Sequence, residues 1–212
     1  MSTFTAKLHN NIMKIIFATN NQHKLMEISH LLGDSFTLLN LKDVNIKEEI
    51  PEDYPTLEEN ALFKAKYIHK VTGMNVFADD TGLEIEALNG GPGVHSARFA
   101  GAHKDFSANT KKVLKLMKGK KNRSAKFRTI IALILDDSEY LFEGAITGKI
   151  INQKRGTKGF GYDPIFIPDG KKSTFAEMTM NDKNMISHRA LAFEKLKMFL
   201  SQNSAPDNKE IN

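Results

Sequence analysis

Apolar residues are distributed along the chain in short runs and stripes that switch between strand and helix periods. Residues 14–18 form a compact apolar run suited to a buried strand. Residues 22–32 follow with Leu25, Ile28, Leu31 and Leu32 on one helical face, and Gly33 supplies the stop. Thr56 and Glu59 have the spacing of a capping box, and Leu57, Ala61, Ala65 and Ile68 give the helix after them an apolar stripe. Residues 74–78 are the next strand, and residues 107–117 have helical character. Residues 127–135 and 140–146 read as strands joined in a hairpin across Asp136, Asp137, Ser138 and Glu139. Residues 164–167 suggest another short strand. A last helix spans residues 187–200, with Ala192, Leu196, Phe199 and Leu200 along one face. Strands alternating with helices, plus one hairpin, predict an α/β protein with a mixed β-sheet flanked by helices. No internal repeat is present. The polar, irregular ends, residues 1–12 and 201–212, read as flexible tails around a single domain of residues 13–200.

Composition narrows the class. A chain of 212 residues that is 41% hydrophobic can build one substantial core, or two lobes sharing a cleft. The longest strongly apolar run, residues 130–135, is too short to cross a bilayer, and the N-terminus lacks the apolar core of a secretory signal. A cytoplasmic protein with no membrane partner is therefore expected. The absence of cysteine excludes disulfides, thiolate zinc sites and cysteine nucleophiles, and no histidine pair has zinc-enzyme spacing on a helix. Oxygen ligands, and hence magnesium or manganese, are the better expectation. The net charge of +5 comes from one segment, since residues 106–135 hold nine Lys or Arg and no acid. Aromatic residues are not interleaved with most of the basic positions in residues 111–128, which favours a solvated helix end and loop over a nucleic-acid surface.

Four stretches carry candidate chemistry. In Phe77-Ala78-Asp79-Asp80-Thr81-Gly82-Leu83 an apolar run delivers two adjacent carboxylates, which suits a divalent metal at a strand end or an ordinary acidic turn. Side chains alternate along a strand, so both acids can face one ligand only if the strand ends there, and Thr81-Gly82 fits such an ending. Thr19-Asn20-Asn21-Gln22-His23-Lys24 links the first strand to the first helix. Free N–H groups at the helix start and the Lys24 charge favour a phosphate, the alternative being an Asn N-cap with an exposed lysine. His188 and Arg189 stand in the first turn of the last helix behind a Ser187 N-cap, the wrong sign for the helix dipole unless an anion is near. The loop from Gly156 through Phe160 and Tyr162 to Pro164 can stack a planar ligand or cover a core edge. A further glycine-rich turn, Asn89-Gly90-Gly91-Pro92-Gly93, leads into Val94-His95-Ser96-Ala97-Arg98 as a lid or a simple turn.

Together these motifs resemble the Ham1-like inosine triphosphate pyrophosphatases. The match runs in order from the Thr19 to Lys24 loop through Glu59-Asn60-Ala61, Asp79 to Leu83, Gly91 to Arg98 and Gly159 to Pro164 to Ile186-Ser187-His188-Arg189. The resemblance implies magnesium-dependent hydrolysis of ITP, dITP and XTP to the monophosphate and pyrophosphate, clearing deaminated purines from the nucleotide pool. It also implies a homodimer whose active site lies in a cleft between two lobes. By that resemblance Thr19, Asn20, Asn21, Gln22, His23 and Lys24 match the triphosphate loop, and Asp80 matches the proton acceptor and metal ligand. Asp79 is its acidic neighbour in the metal set, and Thr81 takes the place of a substrate-contacting serine. Phe160, Gly161, Tyr162 and Asp163 match the base loop, and Lys183, His188 and Arg189 match the remaining base contacts. Two departures stand out. Asn20 and His23 replace glycines that many relatives carry, and a second acidic metal ligand falls among Glu48, Glu49 and Glu52, of which Glu52 is taken. Rival readings are a related pyrophosphatase with another base preference and a nucleic-acid-binding protein using residues 111–128. The acidic pair argues against the latter, so no nucleic-acid partner is expected.

Overall fold

A computed structural model describes residues 13–32, 36–101 and 103–203, with the side chain of Leu32 outside that description. The expected Gly33 stop, the tail at 1–12 and most of the tail at 201–212 lie outside the described residues.

The chain opens with β1 (Lys14–Phe17), α1 (Gln22–Leu32) and β2 (Thr37–Asn40). Next come α2 (Leu57–Thr72), β3 (Val76–Ile85) and β4 (Pro92–Gly93), then α3 (Phe106–Leu116). The long hairpin β5 (Ser124–Leu135) and β6 (Ser138–Ile150) is followed by β7 (Phe166–Pro168), α4 (Met180–Asn184) and α5 (His188–Asn203). One sheet runs β2-β1-β3-β5-β6-β7, with β4 added to β3. Strand β1 pairs in parallel with β2 and β3, and the remaining pairings are antiparallel, so the sheet is mixed as the pattern predicts.

The pleat sorts side chains into cores. Ile16, Val76, Ala78, Ile130 and Ala132 face one way and meet Ala61, Ala65 and Ile68 of α2. Ile15, Phe17, Phe77, Ile131 and Leu133 face the other way and meet Ile28 of α1 and Phe193 and Leu196 of α5. Beyond the middle of β3, Leu83, Ile85, Phe127 and Phe166 pack with Val113 and Met117 around α3 in a third core. Each fully buried Phe, Ile or Leu in these clusters contributes about 1.5–3 kcal/mol.

Three expectations are corrected. Strand β3 does not end at the acids but continues through Asp79, Asp80, Thr81 and Gly82 to Ile85. Gly82 serves a close approach and not a turn, because a Cβ there would lie 2.7 Å from the Gly93 carbonyl oxygen of β4. The hairpin turn is Asp136-Asp137 alone, both with positive φ (48° and 63°), and Ser138 and Glu139 already belong to β6. Helix α5 continues to Asn203, into the segment read as a tail. Strands β2 and β4 were not foreseen. Both are short, and Pro92-Gly93 has no strand signature of its own.

Candidate active site

A cleft of about 510 Å³ is lined from the N-terminal half by Thr19, Asn20, Asn21, Lys24, Glu52, Lys64, Asp80 and Thr81. The C-terminal half contributes Phe160, Gly161, Tyr162, Asp163, Lys183, His188 and Arg189. Its size suits a small organic ligand. Gln22, His23 and Asp79 are the sequence-nominated residues that do not line it.

Because β3 continues, its pleat divides the acidic pair. Asp79 turns toward α1 and α5, where its Oδ1 accepts from Lys24 Nζ at 2.8 Å and its Oδ2 from Arg189 Nε at 3.1 Å. Thr81 Oγ1 adds a bond to Oδ2 at 3.3 Å. Burial pushes the Asp79 carboxyl up, but Lys24, Arg189 and Lys64 outweigh it and hold the group below the usual carboxylate range. Asp80 turns toward α2 and the cleft, with Lys64 Nζ 3.9 Å away. Lys64 also donates at 2.7 Å to Glu52 and at 2.7 Å to the Asp79 carbonyl. Burial raises Asp80, Lys64 and Lys24 offset this only in part, and the neighbouring Glu52 and Asp79 charges add to the rise. Glu52 goes the other way, since Lys64 and Lys24 outweigh its burial and hold it at about 2. The structure thus brings Asp80 and Glu52 together across Lys64 and sets Asp79 apart. Of the other acids weighed, Glu49 pairs with Lys104 at 2.8 Å, and Glu48 accepts from Tyr67 Oη at 3.3 Å.

The first loop holds the Asn N-cap but not the exposed lysine. Asn21 Oδ1 caps α1, accepting from the N–H groups of His23 (3.0 Å) and Lys24 (3.3 Å), and Thr19 Oγ1 accepts from the Asn21 N–H at 3.2 Å. Lys24, however, is not exposed, because its ammonium reaches inward to Asp79 and burial lowers its pKa despite that partner.

Across the cleft, Ser187 Oγ accepts from the Ala190 N–H at 3.2 Å and caps α5. The helix start can press onto β6 because Gly144 has no Cβ, which would lie 2.1 Å from the His188 carbonyl oxygen. Arg189 is buried, bonded to Glu27 and Asp79 and at 3.2 Å to Thr81 Oγ1. Lys183 donates to Glu27 at 2.7 Å and to Asp163 at 2.6 Å, and Asp163 accepts the Phe160 N–H at 2.9 Å. His188 stacks on Phe127 with centroids 4.5 Å apart and planes at 8°. Burial, with Arg189 and Lys183 beside it, pulls His188 far below the usual histidine range, so the ring is neutral. Its buried Nδ1 has no hydrogen-bond partner among the described residues. Tyr162 Oη donates to the Ser96 carbonyl at 2.8 Å, and Ser96 Oγ accepts from Leu83 N–H at 2.8 Å. The segment around Ser96 is therefore a turn fastened to β3, not a free lid.

The model of the Ham1 family matches residues 15–199. The chain belongs to the Ham1 family. It is 52% identical over 188 residues to a dITP/XTP pyrophosphatase of Porphyromonas gingivalis, covering 88% of this chain and 97% of that protein. A dITP/XTP pyrophosphatase of Christiangramia forsetii is 48% identical over 190 residues, 90% of this chain and 100% of that one. The solved structure of a Ham1 protein from Coxiella burnetii aligns with a TM-score of 0.83 at 36% identity, over 90% of this chain and 100% of the other.

Two central residues of this Ham1-family site escaped the sequence reading. Glu27 holds both Arg189 and Lys183, and Lys64 bridges Glu52 and Asp80. Each occupies a position of an apolar helix stripe, Glu27 beside Ile28 and Lys64 beside Ala65, and a charge on a buried stripe was the available signal. The basic segment divides. Lys111, Lys115, Lys118, Lys120 and Lys121 are exposed. Arg123 instead donates to the carbonyls of Met117, Ile150 and Ile151, and Arg128 pairs with Glu58 and Glu143.

Proposed function

We propose that this protein hydrolyses non-standard purine nucleoside triphosphates, ITP, dITP, XTP and dXTP, to the nucleoside monophosphate and pyrophosphate. One observation carries the reading: a single cleft joins the carboxylates Asp80 and Glu52 to a wall of buried hydrogen-bond donors and aromatic rings. The relatives named dITP/XTP pyrophosphatase support it. The triphosphate lies along Thr19, Asn20 and Asn21 beside Lys24, and the base enters between Phe160 and His188. Lys183 and Arg189 have donors only, so this wall favours a 6-oxo group and disfavours the amino group of adenine. The neutral His188 lines the same wall. Asp80 holds the attacking water and takes its proton, while Lys24 stands near the departing pyrophosphate.

The donor set also fits a divalent cation, with magnesium our assignment. Asp80 and Glu52 are hard oxygen ligands on the cleft wall, and a cation there relieves the burial that raises Asp80. Asp79 is the weaker candidate, since Lys24 and Arg189 hold both of its oxygens, whereas Glu52 gives Oε1 to Lys64 and has Lys104 and Arg98 only at 3.7 and 3.8 Å from Oε2. A bound cation would offset charge on the phosphate oxygens. The resemblance to the family also supports a homodimer, a cytoplasmic location and a single domain over residues 13–200. No helix among the described residues is long and apolar enough to cross a membrane.

The test is pyrophosphate release from dITP, XTP, dATP, dGTP and dUTP, with and without magnesium, in the intact protein and in Asp80→Asn. Release from dITP and XTP that needs the metal and falls by about 10²–10⁴-fold in the variant is expected. Cleavage of another base would move the specificity, and no release from any substrate would sink the enzymatic reading.

A further inference from the structure

His23 does not line the cleft, yet its ring lies 5.0 Å from that of Phe160 with the planes only 12° apart. Phe160 does line the cleft, and Lys183 Nζ and Arg189 Cζ lie 5.1 and 5.5 Å from its centroid. His23 and Phe160 also line a second, shallower depression outside the cleft. Phe160 is thus a slab between two spaces, with His23 behind it on the outer side.

The slab needs that backing. Phe160 sits between Gly159 and Gly161, both at positive φ (70° and 61°), in a loop with no regular strand or helix to fix it. Its backbone is held by two bonds to Asp163, the N–H to the carboxylate at 2.9 Å and the carbonyl from the Asp163 N–H at 3.2 Å, but the ring direction is set by packing. His23 is well placed to set it. Its N–H is bonded to the Asn21 cap, so the imidazole rides on the first turn of α1, the turn that also sends Lys24 into the site. Phe106, at the start of α3, closes the group with its ring 6.1 Å from His23 and 5.7 Å from Phe160.

We infer that His23 is a positioning residue for the nucleobase: it clamps the Phe160 ring from outside and so ties the base slab to the loop beside the phosphates. The inference rests on the proposed function. An aromatic pair of this kind is worth about a 2- to 10-fold effect on base binding.

Steady-state hydrolysis of dITP, together with product inhibition by pyrophosphate, separates the possibilities. His23→Ala is expected to raise KM for dITP about 2- to 10-fold while the inhibition constant of pyrophosphate stays within a factor of about two. His23→Phe, which keeps a ring and loses the nitrogens, is expected to restore KM. The inference is overturned by an unchanged KM in His23→Ala, by pyrophosphate inhibition weakening in parallel, which would make His23 a phosphate contact, or by His23→Phe being as impaired as His23→Ala. A wild type that does not hydrolyse dITP removes the functional reading and this inference with it, whereas an active wild type with an unaffected alanine variant removes the inference alone.

Discussion

Asp79 and Asp80 are neighbours in sequence with opposite duties, and the difference is a matter of which face of β3 each occupies. Asp79 is 1% exposed and neutralises two buried cations, so Asp79→Asn leaves Lys24 without its carboxylate partner and Arg189 with Glu27 alone, and should cost about 3–5 kcal/mol in urea unfolding. Its folded pKa is depressed, so this stability is present above the unfolded value near 3.8 and is lost as pH falls through the folded value. The Asn variant should lack that acid limb. Asp80 is raised and faces the cleft, so Asp80→Asn should cut turnover about 10²–10⁴-fold while leaving the urea midpoint unchanged or higher. Equal losses of stability in the two variants would contradict this division. The two acids stood out in the sequence, as did Lys24, Phe160 and Arg189, while Lys183 came through the family resemblance alone. The partition of the acids was not legible, because it depends on whether the strand stops, and Thr81-Gly82 reads locally as an ending. Glu27 was missed for a related reason: its charge on the helix stripe was the one local signal, and its partners lie 156 and 162 positions away.

Elements place these residues with little slack. The acidic strand continues because β5 pairs with it over its whole length, from Val76 opposite Ile134 to Ile85 opposite Ala125, and this tertiary pairing overrides the local turn signal. Gly82→Ala tests the arrangement. The new Cβ would collide with the Gly93 carbonyl, push β4 away and disturb the Ser96 turn that anchors Tyr162. A loss of about 1–3 kcal/mol in thermal unfolding is expected, and an unchanged midpoint would show that β4 shifts freely. The long apolar elements β5, α2 and α5 were readable from periodicity because burial on a fixed face writes itself into the sequence. The Asp136-Asp137 turn was misjudged because aspartate rarely takes two successive positive φ angles, and here the strand pairing imposes them.

At the scale of the molecule, the cleft draws residues from around all three cores: Ala18 and Leu41 belong to one, Phe127 and Tyr162 to another, and Arg189 stands in the first turn of the helix that covers the third. A ligand held there should stabilise the fold as a unit. A non-hydrolysable dITP analogue with magnesium, at about 100 times its Kd, should add about 2.7 kcal/mol and raise the thermal midpoint by about 5–10 °C. Differential scanning calorimetry should show one transition moving as a whole; two transitions, only one of which moves, would mean that the halves of the cleft unfold separately. The sequence disclosed this convergence only through the family resemblance, since no local pattern brings residue 24 to residue 189.

The cations of the cleft are also mostly paired. Lys24, Lys183 and Arg189 meet Glu27, Asp79 and Asp163, and Lys64, Arg98 and Lys104 meet Glu49, Glu52 and Asp80, with Glu27, Asp79 and Arg98 set behind the lining. Cations that already have carboxylate partners hold a bare polyanion less strongly. Under the proposed reaction the cavity should therefore favour the nucleotide already accompanied by its cation, and a rate that keeps rising with free triphosphate in excess over metal would contradict this.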